Sequence, residues 1–93
     1  MTVGVVYCEL VIYDAQSLKE KRSVVKSITT RLKQRYNISV AEVNHQEVWQ
    51  RSGLALASIS NNRQQCEKEL ARALALIDVT DGAERTITDW EWL

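Results

Sequence analysis

Between Val3 and Ile12 two apolar series interleave: Gly4, Val6, Cys8, Leu10 and Ile12 alternate with Val3, Val5, Tyr7, Glu9 and Val11. A period of two in β-branched residues is the pattern of a strand, because successive side chains on extended backbone point to opposite faces. The second series is nearly as apolar as the first, which is unusual for an outer strand of a sheet with one face in water. Such a strand is either central in its sheet or has its second face against a partner. In a chain of 93 residues, below the usual size of two domains, it must share one core with the rest of the chain.

The next segment is helical. Ser17 stands three residues before Glu20, the reciprocal capping box that satisfies orphan amides at a helix start. Leu18, Val25, Ile28, Leu32 and Tyr36 then recur at helical spacing, so a helix is expected over 17–36 with that stripe on the sheet and basic residues elsewhere. Residues 38–45 and 52–60 read as two antiparallel strands, joined by a polar connection, 46–51, short enough for a hairpin. Asn61 or Asn62 caps a second helix, whose apolar stripe is Cys66, Leu70, Ala73, Leu74 and Ile77. After the Asp81-Gly82 turn signal, residues 83–93 have the β-branched and aromatic content of a last strand.

The order β-α-β-β-α-β runs through the whole chain without a linker, repeat or low-complexity stretch, so one domain over 1–93 is expected. It predicts an α+β fold, the ferredoxin-like βαββαβ sandwich, with a four-stranded antiparallel sheet and two helices on one face. Right-handed crossovers make the first and second strands parallel, with the third between them. The end of strand one, the start of helix one and the hairpin 46–51 then share one end of the sheet.

Two stretches, AQSLKEKRSVVKSITTRL and SVAEVNHQEVWQRSGLALASISN, resemble the YlxP-like family of small bacterial proteins, long labelled a domain of unknown function. The resemblance covers residues 3–62 with its motifs intact, SLKEKR at 17–22 and HQxxWQR at 45–51, and continues more loosely to the C-terminus. It implies a ferredoxin-like fold and a gene that tends to sit among translation and ribosome-maturation genes, with no established activity. The last strand departs from the family pattern, carrying Trp90 and Trp92 where plainer aliphatic residues are expected.

Charge is the other constraint. The chain is neutral overall, with 12 basic and 12 acidic residues. Helix one holds Lys19, Lys21, Arg22, Lys26, Arg31, Lys33 and Arg35 against Glu20 alone, which sets that segment at +6 and the remainder at −6. Lys19, Lys26 and Lys33 are seven apart and lie almost in line, with Arg22 beside Lys26. One reading is a phosphate-tracking ridge for RNA; the other is a solvated face whose charges partly pair with the acidic remainder. The hairpin adds His45, Gln46, Trp49, Gln50 and Arg51, groups suited to base edges, stacking and phosphate contacts. Its bland alternative has Trp49 covering the end of the core while His45 and Gln46 bond the turn.

Other chemistry is weakly signalled. Asp14, His45 and Glu47 form an acid-base trio if they lie close together. Yet one histidine does not make a usual catalytic metal site, three glycines form no phosphate loop, and no nucleophile sits in a recognised motif, so no enzyme activity, cofactor or metal is expected. Cys8 and Cys66 lack metal or redox spacing and read as buried free thiols; a disulfide across a shared core and a regulatory thiol are the other options. Met1 to Ile12 lacks a basic leader and contains Glu9, and no stretch is apolar enough to span a bilayer, so a cytoplasmic protein with no membrane partner is expected.

The leading expectation is a noncatalytic RNA- or ribosome-associated binding domain, its partner ribosomal RNA or a ribosomal subunit. Nucleic-acid or anion contacts are assigned to Lys19, Lys21, Arg22, Lys26, Lys33, His45, Gln46, Trp49, Gln50 and Arg51. The alternatives are a homodimeric protein-interaction module, paired through the apolar second face of strand one together with the tryptophan-bearing last strand, and a small-anion site at the start of helix one.

Overall fold

A computed structural model describes residues 1–93 as β1 (Thr2–Val11), α1 (Leu18–Arg35), β2 (Ser39–Asn44), β3 (Arg51–Ser60), α2 (Arg63–Asp78) and β4 (Glu84–Trp92). The strands form one sheet in the order β2-β3-β1-β4, every neighbouring pair antiparallel. This is the expected ferredoxin-like arrangement. β1 lies in the middle of the sheet: Val6, Cys8 and Leu10, with Ile12 just beyond, are buried against the helices, while Val3, Val5, Tyr7 and Val11 are half-buried on the face that no helix covers.

The core fills the space between sheet and helices. Val25, Ile28 and Leu32 come from α1, Leu54 and Leu56 from β3, and Leu70, Ala73, Leu74, Leu76 and Ile77 from α2, a stripe wider by Leu76 than the spacing predicts. At the start of α1, Glu20 N donates to Ser17 Oγ at 3.1 Å, and the Glu20 carboxylate accepts from Gln16 N at 2.6 Å. The return bond thus reaches one residue beyond the cap. Asn62, and not Asn61, caps α2, its Oδ1 accepting from Gln65 N at 3.2 Å. The Arg85 guanidinium forks onto the Asp78 carboxylate at 2.8 and 2.7 Å, tying β4 to the end of α2.

Two details differ from the sequence reading. β2 stops at Asn44 because His45 takes a left-handed conformation, φ 59°, that no strand continues; the connection is therefore 45–50, and Arg51 begins β3. More consequential is the face on which the tryptophans lie. Trp92 pairs with Gly4 and Trp90 with Val6, both on the helix side of β1. A Cβ at Gly4 would stand 2.8 Å from the Trp92 ring and 3.0 Å from Leu70, so only glycine admits the indole. The Arg63 guanidinium covers Trp92 at 4.4 Å, and Trp90 stacks on it at 6.1 Å between centroids. The expected patch combining strand one with these tryptophans is not formed, because they occupy opposite faces of the sheet.

Cys8 and Cys66 are both buried and free, and burial pushes the Cys8 thiol up to about 11. No helix is long and apolar enough to cross a membrane. Truncating the core beneath Trp92, Leu70→Ala, should lower stability by about 2–5 kcal/mol. Removing its cationic lid, Arg63→Ala, should cost about 0.5–1 kcal/mol. Urea denaturation of both variants tests this order, which reverses if the tryptophan pair and not the core holds β4 in place.

Candidate nucleic-acid interface

On α1, the buried positions succeed one another at spacings of four, three and four: Lys21, Val25, Ile28 and Leu32. Lys19, Arg22, Lys26, Lys33 and Arg35 are all exposed. Lys19 to Lys33 spans about 21 Å at 1.5 Å per residue. Among the exposed cations only Arg22 has an ion-pair partner, Glu47 at 3.6 Å, whereas Lys19, Lys26, Lys33 and Arg35 have none. Arg31 leans back to the Thr80 hydroxyl at 3.4 Å. The acidic remainder of the chain therefore does not neutralise this surface locally.

Lys21 corrects the sequence assignment. Its side chain is 0 % exposed, and its ammonium donates to Glu42 Oε2 at 2.7 Å and to the carbonyls of His45 and Gln46, each at 3.1 Å. Ser52 Oγ donates to the same Glu42 oxygen at 2.7 Å. All three ammonium donors are used, so Lys21 holds the β2–β3 loop and offers nothing to an external phosphate. Helical spacing contained the signal, since Lys21 is in register with Val25, Ile28 and Leu32. Alternation in β2 contained its counterpart, for Glu42 is two residues from buried Val40 and so shares the core-facing side.

The same end of the sheet gathers the hairpin, as the predicted topology requires. Ile12 N donates to Gln50 O at 2.8 Å, and Gln50 Nε2 donates to the carbonyls of Tyr13 and Ala15 at 3.1 and 3.2 Å. Gln50 is thereby a brace between loop and chain. The His45 carbonyl accepts from Val48 N as well as from Lys21, so the turn is held from both sides. Gln46, Trp49 and Arg51 remain on the surface, Trp49 with 52 % of its area exposed. Trp49 does not cover the core end, and the structural work of the loop falls to Lys21 and Gln50.

His45 belongs to a cluster that the sequence reading missed. Glu9 Oε2 accepts from the Tyr7 hydroxyl at 2.9 Å, Glu9 Oε1 accepts from Arg51 Nη2 at 2.5 Å, and Asn44 Nδ2 donates to the Tyr7 oxygen at 3.1 Å. His45 Nε2, sealed from water and without a hydrogen bond, lies 3.4 Å from Glu9 Oε1. Gly53 makes this packing possible: a Cβ there would come within 2.5 Å of the Tyr7 hydroxyl and 2.7 Å of Asn44. Tyr7, above all, then Arg51 and the nearby His45 ring hold the Glu9 carboxyl below its ordinary range, against desolvation. The trio of Asp14, His45 and Glu47 is not assembled, since His45 faces Glu9 and Glu47 faces Arg22. Nor do Lys19, Lys21 and Arg22 converge on an open anion site: Lys21 points inward, and Ser17 and the Glu20 carboxylate already occupy the helix start.

These contacts lead to two expected outcomes. Breaking the buried pair with Lys21→Ala should lower stability by about 3–5 kcal/mol, because Glu42 loses its counter-charge and the Gln46 carbonyl its donor; urea denaturation measures it, and a loss within that of an ordinary surface substitution contradicts the structural role. The depressed Glu9 carboxyl stabilises the fold above its unfolded pKa, about 4.3, and that contribution disappears as pH falls through the lower native value. In Glu9→Gln the loss of stability below about pH 4.3 should be shallower than in the parent, with a residual slope from Asp78, whose carboxyl Arg85 holds low. Denaturation midpoints across the acid range supply the comparison.

Comparison with known proteins gives a family of unknown function. The chain is 50 % identical over 90 residues to a protein of Bacillus subtilis (strain 168) described as "Uncharacterized protein YlxP", covering 97 % of this chain and 98 % of that one. Among solved structures it is similar to the de novo designed protein Foldit4, with a TM-score of 0.56 and 14 % identity over 100 % of this chain and 97 % of that chain, a likeness of fold alone. Residues 3–90 match the family described as "Protein of unknown function (DUF503)", and the chain belongs to that family, as its SLKEKR and HQEVWQR motifs indicated.

Proposed function

We propose that this protein is a noncatalytic RNA-binding domain, with ribosomal RNA as its target, that engages phosphates along α1 and unpaired nucleotides at the adjoining 45–50 loop. The observation that carries the reading is the row Lys19, Lys26 and Lys33, exposed together with Arg35 and without a carboxylate partner in a chain whose net charge is zero. A purely solvated face in a neutral protein gains from pairing with nearby acids, and here only Arg22 does so. Arg22 also links the ridge to the loop through Glu47, so exposed Trp49 and Gln46 adjoin the N-terminal end of the cationic row. Indole stacking and amide hydrogen bonds are the contacts through which single-stranded RNA is read.

The sheet is a poorer candidate for that contact. RNA-binding domains with a four-stranded sheet stack bases on aromatic side chains of the sheet surface. Here the outward positions of β3 are Arg51, Gly53, Ala55, Ala57 and Ile59, none of them aromatic, the lone central aromatic is Tyr7 with its hydroxyl engaged, and Asp89 and Glu91 border the face.

Binding to ribosomal RNA should weaken with salt, with a log-log slope of about −3 to −4 if about four phosphates are engaged. Replacing Lys19, Lys26 and Lys33 together by Gln should flatten that slope by about 2–3. Filter binding or fluorescence anisotropy at several salt concentrations provides the measurement. Absence of binding at low salt, or a triple variant with the parental slope, rejects the proposal.

A further inference from the structure

The sheet face turned away from the helices is built in rows. Ser39, Ala57, Val5 and Glu91 lie side by side in one, Ala41, Ala55, Tyr7 and Asp89 in the next, and Val3 pairs with Ile59 beyond them. Towards the opposite end Glu9 and Asn44 flank Gly53 in a polar row, and beyond it Val11 lies between Arg51 and Glu84. The two central strands are therefore apolar through most of the bare face, and their polar groups gather at its ends and along the β4 border. Val5, Ser39, Ala41, Ala55 and Ala57 surround a shallow depression of about 190 Å³, while the Ile59 side chain stands out with 57 % of its area exposed. Antiparallel sheets that face water on one side normally carry polar residues there.

We infer that this face is an isologous interface that pairs with the same face of a second copy. Four strands about 4.8 Å apart and some 30 Å long give roughly 600 Å² in projection, more once side chains corrugate it. That is the scale of a standard interface, about 800 Å² per partner. Sheets of matching twist pack face to face at about −30° and 10 Å, a fit that another flat antiparallel sheet supplies.

Charge selects the orientation. An axis parallel to the strands lays the acidic β4 border, Asp89 and Glu91, over the neutral β2 border, Ser39 and Ala41, of the other copy. An axis across the strands would stack like charges on one another. The same acidic border makes a nucleic acid an unfavourable occupant. A chain of zero net charge also brings no overall repulsion to self-association.

Sedimentation velocity over protein concentrations from about 1 to 200 μM, bracketing the micromolar affinities of modest interfaces, tests the inference. The parent should pass from one chain to two. Val5→Lys and Ile59→Lys, each placing an ammonium in the interface, should weaken association at least tenfold with the far-UV circular dichroism unchanged. Lys26→Gln, on the helix layer, should leave it as it was. Should Val5→Lys misfold, the exposed Ile59→Lys decides. A parent that remains a single chain throughout, or a dimer indifferent to the folded sheet variants, overturns the inference. Because the RNA measurements use α1 variants and the association measurements use sheet variants, either proposal can fail alone.

Discussion

The buried ammonium of Lys21 is the contact on which the functional end of this molecule depends. It sits where the packing of α1 calls for an apolar side chain, and it is tolerated because Glu42 neutralises it and two loop carbonyls accept hydrogen bonds from its remaining N–H groups. A methionine in its place would fill the volume but could satisfy none of these acceptors. Buried ion pairs contribute little net stability compared with apolar replacements, so the gain here lies in placement. One side chain joins α1, β2, and through Ser52 β3, to a loop whose first residue is held in a left-handed conformation. A His in that conformation is disfavoured relative to ordinary backbone, and the contacts to its carbonyl offset the cost.

A second set of contacts closes the other side of the same loop. Glu9 collects Tyr7, Arg51 and the edge of His45 on the bare face, as Glu42 collects Lys21 and Ser52 on the helix face. The loop is thus clamped between two carboxylates on opposite sides of the sheet. Gly53 leaves the space that the Tyr7 hydroxyl fills, and so sets how closely the two strands' side chains pack. With the loop backbone held by these contacts, binding at Trp49 and Gln46 has only their side chains left to order.

The fold was legible because period-two and helical patterns alternate without interruption along the chain. The site was less legible for a physical reason. Lys21 and Lys26 are identical as sequence symbols, and only their register against Val25, Ile28 and Leu32 separates a buried clamp from a surface charge. Glu9 and Glu42 raised the same difficulty, since a lone acid in a strand reads as a solvent-facing break until its partners from distant segments are known. The tryptophans of β4 were misplaced because aromatic content marks a strand without fixing its face. Gly4, whose missing side chain receives Trp92, was the available clue.

The two proposed surfaces lie on opposite layers, and this separation has a consequence of its own. A dimer closed through the bare face would keep both α1 ridges outward, with a sheet pair and two helix layers between them. Each copy would then present its cationic row and clamped loop independently. Two modest contacts held in one rigid body act at an effective concentration set by their separation, and overall affinity exceeds that of either contact only when the target offers phosphates at both positions. Selectivity would then come from the spacing of two sites on a large folded RNA and not from base-specific contacts alone, a mode suited to a protein that has few such contacts to offer.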